Sequence, residues 1–263
     1  MLGEERTTAT AAGVYDWFLG GRHHVAADRE AAIDSQRSFP LASRVVKYNR
    51  EFLRRAVRYV AGAGVRQFLD IGSGYPTVGN VHEVAPGSRV VYVDYEQDTV
   101  DVSRRILADN PDATSIHGDL REPDGILSHP EVRELLDFGQ PVGLLLIAVL
   151  HFVPEELGPA RLVRRYLEPL APGSHLVISH GTSPADERGR RIQDEWRQVY
   201  NHTVAETYRN RPVDQLTSFF AGTTLLPPGL VPAPDWRPED PAYVPDPEDE
   251  SRQVIVGGVG VVG

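Results

Sequence analysis

The sequence has 263 residues, of which 41% are hydrophobic, enough for a packed core in one large domain. Its formal charge of −10 argues against a nucleic-acid partner, because phosphate backbones are bound by basic surfaces. The sequence contains no cysteine, which excludes disulfides, cysteine-ligated metals and a cysteine nucleophile.

The start of the sequence and its apolar stretches do not resemble targeting or membrane segments. Residues 1–12 contain acids and threonines where a secretory signal has a basic and then an apolar run. The longest strongly apolar stretch, residues 142–149, is far shorter than the roughly 20 residues that cross a bilayer. We therefore expect a soluble, cytoplasmic protein that has no membrane partner.

Three helices are predicted before the first strand, at residues 14–19, 25–37 and 44–60. The third has an apolar face at helical spacing, formed by Val45, Val46, Phe52, Leu53, Ala56, Val57 and Val60. Because these helices precede the first strand, we expect residues 1–62 to form an N-terminal helical cap.

Strands and helices alternate after residue 63. Strand-like runs lie at 67–71, 89–94, 114–117, 142–150 and 175–179, and helical stretches lie at 98–108, 123–137 and 155–169. This alternation predicts a parallel sheet with right-handed crossovers. The remaining pattern predicts helices at 186–209 and 213–221, an irregular proline-rich loop at 227–250 and a last strand at 253–262. We expect residues 63–263 to form one Rossmann-like α/β domain, in a single compact unit.

The first strand leads into a short motif that contains Asp70, Gly72, Ser73 and Gly74. Glycines at such a turn let the backbone pass close to a ligand. A dinucleotide fingerprint requires a third glycine at position 77, which is Thr77. An acid just before the turn suits a cationic group, such as the ammonium or sulfonium of S-adenosylmethionine (SAM), better than a pyrophosphate. The alternative is an ordinary strand-to-helix turn.

Two further acids follow the next two strands. Asp94 ends the second strand, where a carboxylate can accept both ribose hydroxyls, and Asp119 follows the third, where it can accept an adenine amino group. Carboxyl ends of parallel strands meet at the edge where open α/β folds bind ligands. We therefore predict a SAM site that also includes Tyr95, Leu120 and Ala148.

Residues of the predicted cap are candidates for the same site. Asn49 lies within the apolar face of the third helix, so its amide needs a partner, either in a neighbouring loop or on SAM. Arg50 can pair with the methionine carboxylate of SAM or form a structural ion pair. We predict that Tyr15 and the turn at Gly20 and Gly21 cover SAM; the alternative is that this segment packs on the flank of the sheet.

Histidines are the candidate bases, because imidazole titrates near neutral pH. His151 ends the fourth predicted strand, and His23 and His24 lie in the cap. His180 is a weaker candidate, and a structural role is the alternative for each. Since the sequence has neither cysteine nor a His-x-x-x-His pattern, we predict no metal site.

These segments together resemble the actinobacterial SAM-dependent methyltransferase family formerly catalogued as a domain of unknown function, DUF574 (methyltransferase family 19). The resemblance covers nearly the whole chain, at residues 14–16, 19–21, 26–30, 49–58, 68–85, 90–94, 118–121, 148–154, 170–174, 179–180, 228–232 and 236–238. It implies a class I methyltransferase fold, with a mostly parallel seven-stranded sheet and helices on both faces. It also implies a SAM site at the acids named above, but no particular acceptor.

The sequence departs from the family pattern at three places. Arg22, His23 and His24 stand where Lys-Asp-Asn or a similar run is usual, and residues 95–97 replace the usual Asn-Asp-Pro. The helix after the glycine motif is about one turn short, since Ala85 leads directly into a Pro-Gly pair. The first departure lies where a cap would meet a substrate.

The function expected from these observations is methyl transfer from SAM to a small-molecule acceptor by in-line displacement, in specialised metabolism by family analogy. S-adenosylhomocysteine (SAH) is the expected product, no nucleic acid is expected as a partner, and a homodimer is possible. The alternatives are a SAM-binding enzyme with a non-methylating reaction and a non-catalytic SAM-binding sensor. A nicotinamide enzyme is disfavoured by Asp70 and Thr77.

Overall fold

A computed structural model describes residues 6–76, 79–182, 187–204 and 206–263. The order of helices and strands is α1 (Ala11–Phe18), α2 (Ala26–Ser38), α3 (Ala42–Gly62), β1 (Gln67–Ile71), α4 (Val81–Val84), β2 (Arg89–Asp94), α5 (Gln97–Ile106), β3 (Ala113–His117), α6 (Pro123–Leu127), α7 (Pro130–Leu135), β4 (Gly143–Ile147), α8 (Pro159–Leu167), β5 (His175–Gly181), α9 (Glu187–Thr203), α10 (Val213–Ser218), β6 (Thr223–Leu225), β7 (Val231–Pro232) and β8 (Ile255–Val262). Short 3-10 turns lie at Leu150–Phe152, Glu155–Leu157, Ala233–Asp235 and Glu250–Gln253.

The strands form one mostly parallel sheet, as predicted. The order across it is β3-β2-β1-β4-β5-β8-β6, with β7 paired to β8. Strands β1 to β5 are parallel, whereas β8 runs antiparallel to β5, β6 and β7. The sheet has eight strands rather than the seven that the family resemblance implies, because the short β7 pairs with β8 beside the seven-strand path. The two short strands β6 and β7 lie in segments with little periodicity, and β7 falls within the predicted irregular loop.

Helices cover both faces of the sheet, because neighbouring strand residues point to opposite faces. Phe68 and Leu145 join a core with Val57 of α3 and Trp196 of α9. Leu69 and Leu144, one residue away along each strand, join a second core with Val163 of α8 and Leu216 of α10. Helix α3 also packs on β4, β5 and β8, so the predicted cap lies directly on the sheet. The domain division at residue 62 stays a prediction.

Several element boundaries differ from the predictions for local reasons. The fourth strand ends at Ile147 rather than 150, because Ala148 has a left-handed φ of 51° and a 3-10 turn follows. Pro130 divides the predicted helix at 123–137 into α6 and α7. Thr77 lies outside the described residues. Residue 186, the predicted start of the helix at 186–209, also lies outside them, and α9 is described from Glu187.

The described helices are either too short or too polar to cross a membrane.

Candidate active site

A cavity of about 410 Å³ lies at the carboxyl ends of β1, β2 and β4. Its walls come from the sheet edge, from α1 and α3, and from the end of α9 with the loop that follows. The cavity brings together most of the residues predicted to bind the cofactor, together with His151: Tyr15, Asn49, Arg50, Asp70, Gly72, Ser73, Gly74, Asp94, Tyr95, Asp119, Leu120 and Ala148.

The glycine turn after β1 is shaped by close packing. Gly72 has φ 70°, and a Cβ at this position would lie 2.2 Å from Cγ2 of Val149. The backbone N–H groups of Gly72 and Ser73 both donate to the carbonyl of Val93, at 2.8 and 3.1 Å. A Cβ on Gly74 would lie 3.6 Å from Cβ of Ala12, so helix α1 directly covers this turn. Only glycine meets both the backbone and the packing requirement at position 72.

Asp94 is buried at the end of β2 and holds the glycine turn in place. Its carboxylate accepts hydrogen bonds from the backbone N–H of Gly74 at 2.8 Å and of Glu96 at 3.0 Å. Burial raises the pKa of Asp94 to about 6, and the nearby carboxylates of Glu96 and Glu206 raise it further while the two backbone hydrogen bonds oppose the shift. Among the described side chains, the Asp94 carboxylate in the cavity has no ion-pair partner.

Asp70 is a buried carboxylate without a hydrogen-bond partner among the described residues. Burial raises its pKa to about 7, and the neighbouring Arg50 guanidinium limits the rise. Arg50 donates to Oδ1 of Asn80 at 3.1 Å, whereas its buried Nε has no partner within the described part of the chain. An unpaired carboxylate and an unpaired guanidinium N–H thus lie side by side, which matches the amino and carboxylate groups of an amino acid.

Asp119 occupies the far side of the cavity, after β3. Its two carboxylate oxygens accept hydrogen bonds from Nε of Arg121 at 2.8 and 2.9 Å. Arg121 in turn lies over the ring of Tyr95, 5.7 Å from the ring centroid. This end of the cavity is therefore flat and aromatic, with an ion pair along one edge.

Asn49 joins three parts of the structure through its side-chain amide. Its Nδ2 donates to the phenol oxygen of Tyr15 at 2.8 Å, and its Oδ1 accepts from the hydroxyl of Ser179 at 2.6 Å. The oxygen of that hydroxyl also accepts from the backbone N–H of Ala148 at 3.0 Å. The amide thus has the partners that its position in an apolar face required.

His151 lies in the 3-10 turn after β4 and is only 4% exposed. Burial pulls its pKa well below 6.5, and the nearby His180 and Arg211 lower it further. Within residues 6–76, 79–182, 187–204 and 206–263, its buried Nδ1 has no hydrogen-bond partner. The ring packs against Tyr208 and Phe152, each with a centroid distance of 4.3 Å. His151 is therefore a neutral imidazole in an aromatic wall of the cavity.

Arg211 anchors the turn that carries His151. It is 1% exposed, and its Nη1 donates to the carbonyl of Leu150 at 2.9 Å, while its Nη2 donates to that of Val153 at 2.6 Å. Its Nη1 also lies 2.8 Å from Nε2 of His180. His180 thus takes part in this structural network, and burial lowers its pKa to about 3.

The cap residues Gly20, Gly21, His23 and His24 are not among the residues that line the cavity. Gly21, His23 and His24 surround the carboxylate of Asp16 instead, and Gly20 forms the preceding turn with φ 75°. Oδ2 of Asp16 accepts from the backbone N–H of His23 and of His24, each at 3.0 Å, and lies 2.9 Å from Nδ1 of His24. A Cβ on Gly21 would lie 2.0 Å from Oδ1 of Asp16, so this glycine allows close packing against the carboxylate.

The family model described as S-adenosyl methyltransferase matches residues 4–263. The chain belongs to this family. The resemblance to DUF574 proteins and the Rossmann-like class I fold are thereby confirmed, and SAM is the cofactor of this methyltransferase.

Two solved structures are similar to this methyltransferase over nearly its whole length. A putative methyltransferase from Thermobifida fusca YX has 34% sequence identity and a TM-score of 0.91, covering 99% of this chain and 97% of that chain. A DUF574 family protein from Streptomyces avermitilis MA-4680 has 36% identity and a TM-score of 0.87, covering 97% and 98%. TnmH shares the fold alone, at 18% identity and a TM-score of 0.51, with 81% and 57% covered. No curated protein matches the chain.

The cavity of this methyltransferase also contains residues that the sequence analysis did not single out. Trp196 and Tyr200 of α9 line it, as do Glu206, Tyr208 and Arg209 of the next loop. The spacing of Trp196 and Tyr200 by one helical turn is the only sequence signal, and it is more typical of a packed core. Among the described residues, no cluster of histidine and acidic side chains is arranged to hold a metal ion.

Proposed function

We propose that this chain transfers the methyl group of SAM to a small-molecule acceptor that binds in the same cavity. The observation that carries the proposal is the two-sided lining of this cavity. One side has acids at strand ends, of which Asp70 has no hydrogen-bond partner among the described residues, and the other has aromatic rings around His151. A volume of about 410 Å³ is within the range of small-molecule sites, and the cavity is covered by α1.

The residues present fit SAM on the acid side. Asp70 is placed to accept from an ammonium group, and the unpaired Nε of Arg50 to donate to a carboxylate. Asp94 suits the ribose hydroxyls, and the flat end at Tyr95, Leu120 and Asp119 suits the adenine. When bound, SAM supplies an electrophilic methyl group on its sulfonium. Glycine positions 72 and 74, with Ser73, allow the backbone to approach the cofactor.

The cap has two proposed roles in this function. Tyr15 and the rest of the α1 face exclude water from the reacting groups, and Asn49 and Ala148 fix the distance between α1 and the sheet edge. Gly21 contributes through its packing on Asp16, and Gly20 through the left-handed turn that leads into it, rather than by contact with the cofactor. Residues 1–62 would then form a cover that is continuous with the core of the 63–263 domain.

Among the candidate bases, His151 is the one that lines the cavity, whereas His23 and His24 do not. A neutral imidazole with a free ring nitrogen can accept a hydrogen bond from the acceptor and orient it. We therefore assign His151 to the acceptor side. The assignment to specialised metabolism rests on family analogy alone.

Product analysis tests this proposal. The protein is incubated with methyl-labelled SAM and an actinobacterial small-molecule extract, and both SAH and labelled low-mass products are measured. We expect SAH in equal amount to one methylated product. Replacement of His151 by Ala should reduce turnover more than SAM affinity, whereas His202→Ala, at an exposed position, serves as the control.

Two outcomes would contradict the proposal. Tight SAM binding without SAH release on any fraction would indicate a sensor. Consumption of SAM without a labelled acceptor would indicate a non-methylating reaction.

A further inference from the structure

Glu206 has an unpaired carboxylate oxygen in the cavity wall. It lies in the loop after α9, and its buried Oε2 has no hydrogen-bond partner among the residues that the structure describes. The nearby cations have other partners. Arg6 pairs with Asp28 at 2.7 Å, and Arg209 donates to the carbonyls of Thr207 at 2.8 Å and Phe152 at 3.4 Å. A buried carboxylate without a cation is unfavourable unless a ligand provides the charge.

Glu206 lies between the aromatic side of the cavity and the acid side. Burial raises the pKa of Tyr200, and the carboxylate of Glu206 raises it further. The same carboxylate contributes to the raised pKa of Asp94. Glu206 therefore lies in the cavity wall near both Asp94, at the predicted ribose site, and Tyr200, among the aromatic rings.

The aromatic side of the cavity is a group of packed rings. Tyr200 lies 5.3 Å from Tyr208, 5.4 Å from Trp196 and 6.0 Å from Phe152, measured between ring centroids. All four rings line the cavity. Their surfaces are suited to a flat aromatic ligand, and their negative ring faces also favour a neighbouring cation.

The side chains that line the cavity carry a net negative charge, which favours some acceptor charges over others. Acids outnumber arginines in the lining, with Asp16, Asp70, Asp94, Glu96, Asp119 and Glu206 against Arg50, Arg121 and Arg209. Arg121 is paired with Asp119, and Arg50 is bound to Asn80. An anionic acceptor, such as a carboxylate or a phenolate, would meet repulsion here, whereas an amine that is cationic in water would be attracted.

We infer that the acceptor is an amine on an aromatic skeleton, that its rings pack against Tyr200 and Tyr208, and that Glu206 binds its nitrogen. This inference rests on the proposed function. In the transfer, the bound ammonium first gives one proton to the Glu206 carboxylate. The nitrogen lone pair that this leaves forms the new N–C bond while the C–S bond breaks and its electron pair stays on sulfur. The product carries the positive charge as a methylated ammonium. Burial raises the pKa of Glu206, which makes it a better proton acceptor than an exposed glutamate.

Calorimetry in the presence of saturating SAH tests the inference without catalysis. The probes are tryptamine, tyramine and phenethylamine, each compared with the propionic acid that carries the same ring. Wild type is compared with Glu206→Gln and with Glu156→Gln, an exposed glutamate outside the cavity. We expect wild type and Glu156→Gln to bind the amines more tightly than the acids, and Glu206→Gln to bind the amines about tenfold more weakly with unchanged SAH affinity.

The outcomes separate the inference from the proposed function. If SAH binds but the acids bind as well as the amines, or no amine binds, or Glu206→Gln binds amines like wild type, the inference is wrong and methyl transfer is unaffected. If Glu206→Gln loses SAH affinity, Glu206 belongs to the cofactor site and the inference is also wrong. If wild type does not bind SAH, both the proposed function and the inference are contradicted.

Discussion

Asn49 of α3 donates to the phenol oxygen of Tyr15 in α1 at 2.8 Å, so a helix of the cap is tied to the helix beneath it through one buried amide. The same amide accepts from Ser179 of β5 at 2.6 Å. Residues that are far apart in the chain thus meet at the inner end of the cavity. The position of α1 over the glycine turn depends on this contact.

We expect Asn49→Ala to lower the free energy of unfolding by about 2 kcal/mol, because it removes the two hydrogen bonds that this buried amide makes to Tyr15 and Ser179. Tyr15→Phe should have a smaller effect, since the amide keeps its bond to Ser179. Urea denaturation measures both values. Equal stability of wild type and Asn49→Ala would mean that the amide is replaceable by water.

Asp94→Asn should weaken SAM binding by about 1–3 kcal/mol, since it replaces one charged acceptor oxygen with an amide N–H. The substitution keeps the side-chain volume and one acceptor for Gly74 or Glu96, so the fold should be retained. Calorimetric titration with SAM measures the change, and Asp109→Asn, at an exposed site, is the control. Wild-type affinity in Asp94→Asn would remove Asp94 from the cofactor site.

The affinity for SAM should increase as pH rises from about 5 to 8. Asp70 has a pKa raised to about 7 and Asp94 to about 6, so both are partly protonated in the ligand-free protein at pH 6. SAM carries a net positive charge and binds the ionised carboxylates more tightly, so its binding releases protons. Calorimetry in buffers of different ionisation enthalpy measures this release. A proton release that is unchanged in Asp70→Asn would contradict the assignment.

The same raised pKa values have the opposite effect on the ligand-free fold. The folded protein holds the protons of Asp70 and Asp94 more tightly than the unfolded chain, in which these pKa values return to about 3.9. The free energy of unfolding should therefore decrease as pH rises from about 4 towards 7 through these two groups. The Asp70→Asn variant should have a flatter profile in urea denaturation over this range. A free energy of unfolding that falls more steeply with pH in Asp70→Asn than in wild type would contradict the raised pKa of Asp70.

Arg211→Lys should destabilise the protein by about 1–3 kcal/mol, because a lysine cannot donate to Leu150, Val153 and Glu155 from one planar group. Hydrogen exchange should become faster in the 150–155 turn before it does so in the sheet. Arg161→Lys, at an exposed position of α8, is the matched control. If exchange in the 150–155 turn is no faster in Arg211→Lys than in Arg161→Lys, other contacts hold the turn.

The sequence allows the sheet and its acidic edge to be predicted because both depend on local patterns. Apolar runs that end in Asp70 and Asp94 identify β1 and β2, and parallel pairing then brings the acids together. The partners of Asn49 were not predictable in this way. Ser179 is 130 residues from Asn49 in the sequence, and the packing of α3 on β5 brings the two side chains together.

The opposite wall of the cavity depends even more on tertiary packing. Glu206, Tyr208 and Arg211 lie in irregular backbone, where no period relates one side chain to the next. Their positions follow from hydrogen bonds to the turn after β4, such as that from the Arg209 N–H to the His151 carbonyl at 3.0 Å. The turn itself depends on the left-handed φ of Ala148, a conformation that alanine rarely adopts.

Strand β8 lies between β5 and β6, next to one edge of the sheet, and is formed by residues far along the chain. Until residues 255–262 have paired, β5 is an edge strand with unpaired backbone N–H and C=O groups, and such edges recruit other chains. The pairing of β8 with β6 and β7 joins neighbouring parts of the chain, whereas its pairing with β5 is long-range, and long-range contacts slow folding. Fragments that stop before residue 255 should aggregate rather than fold, and expression of the full chain should benefit from conditions that slow aggregation.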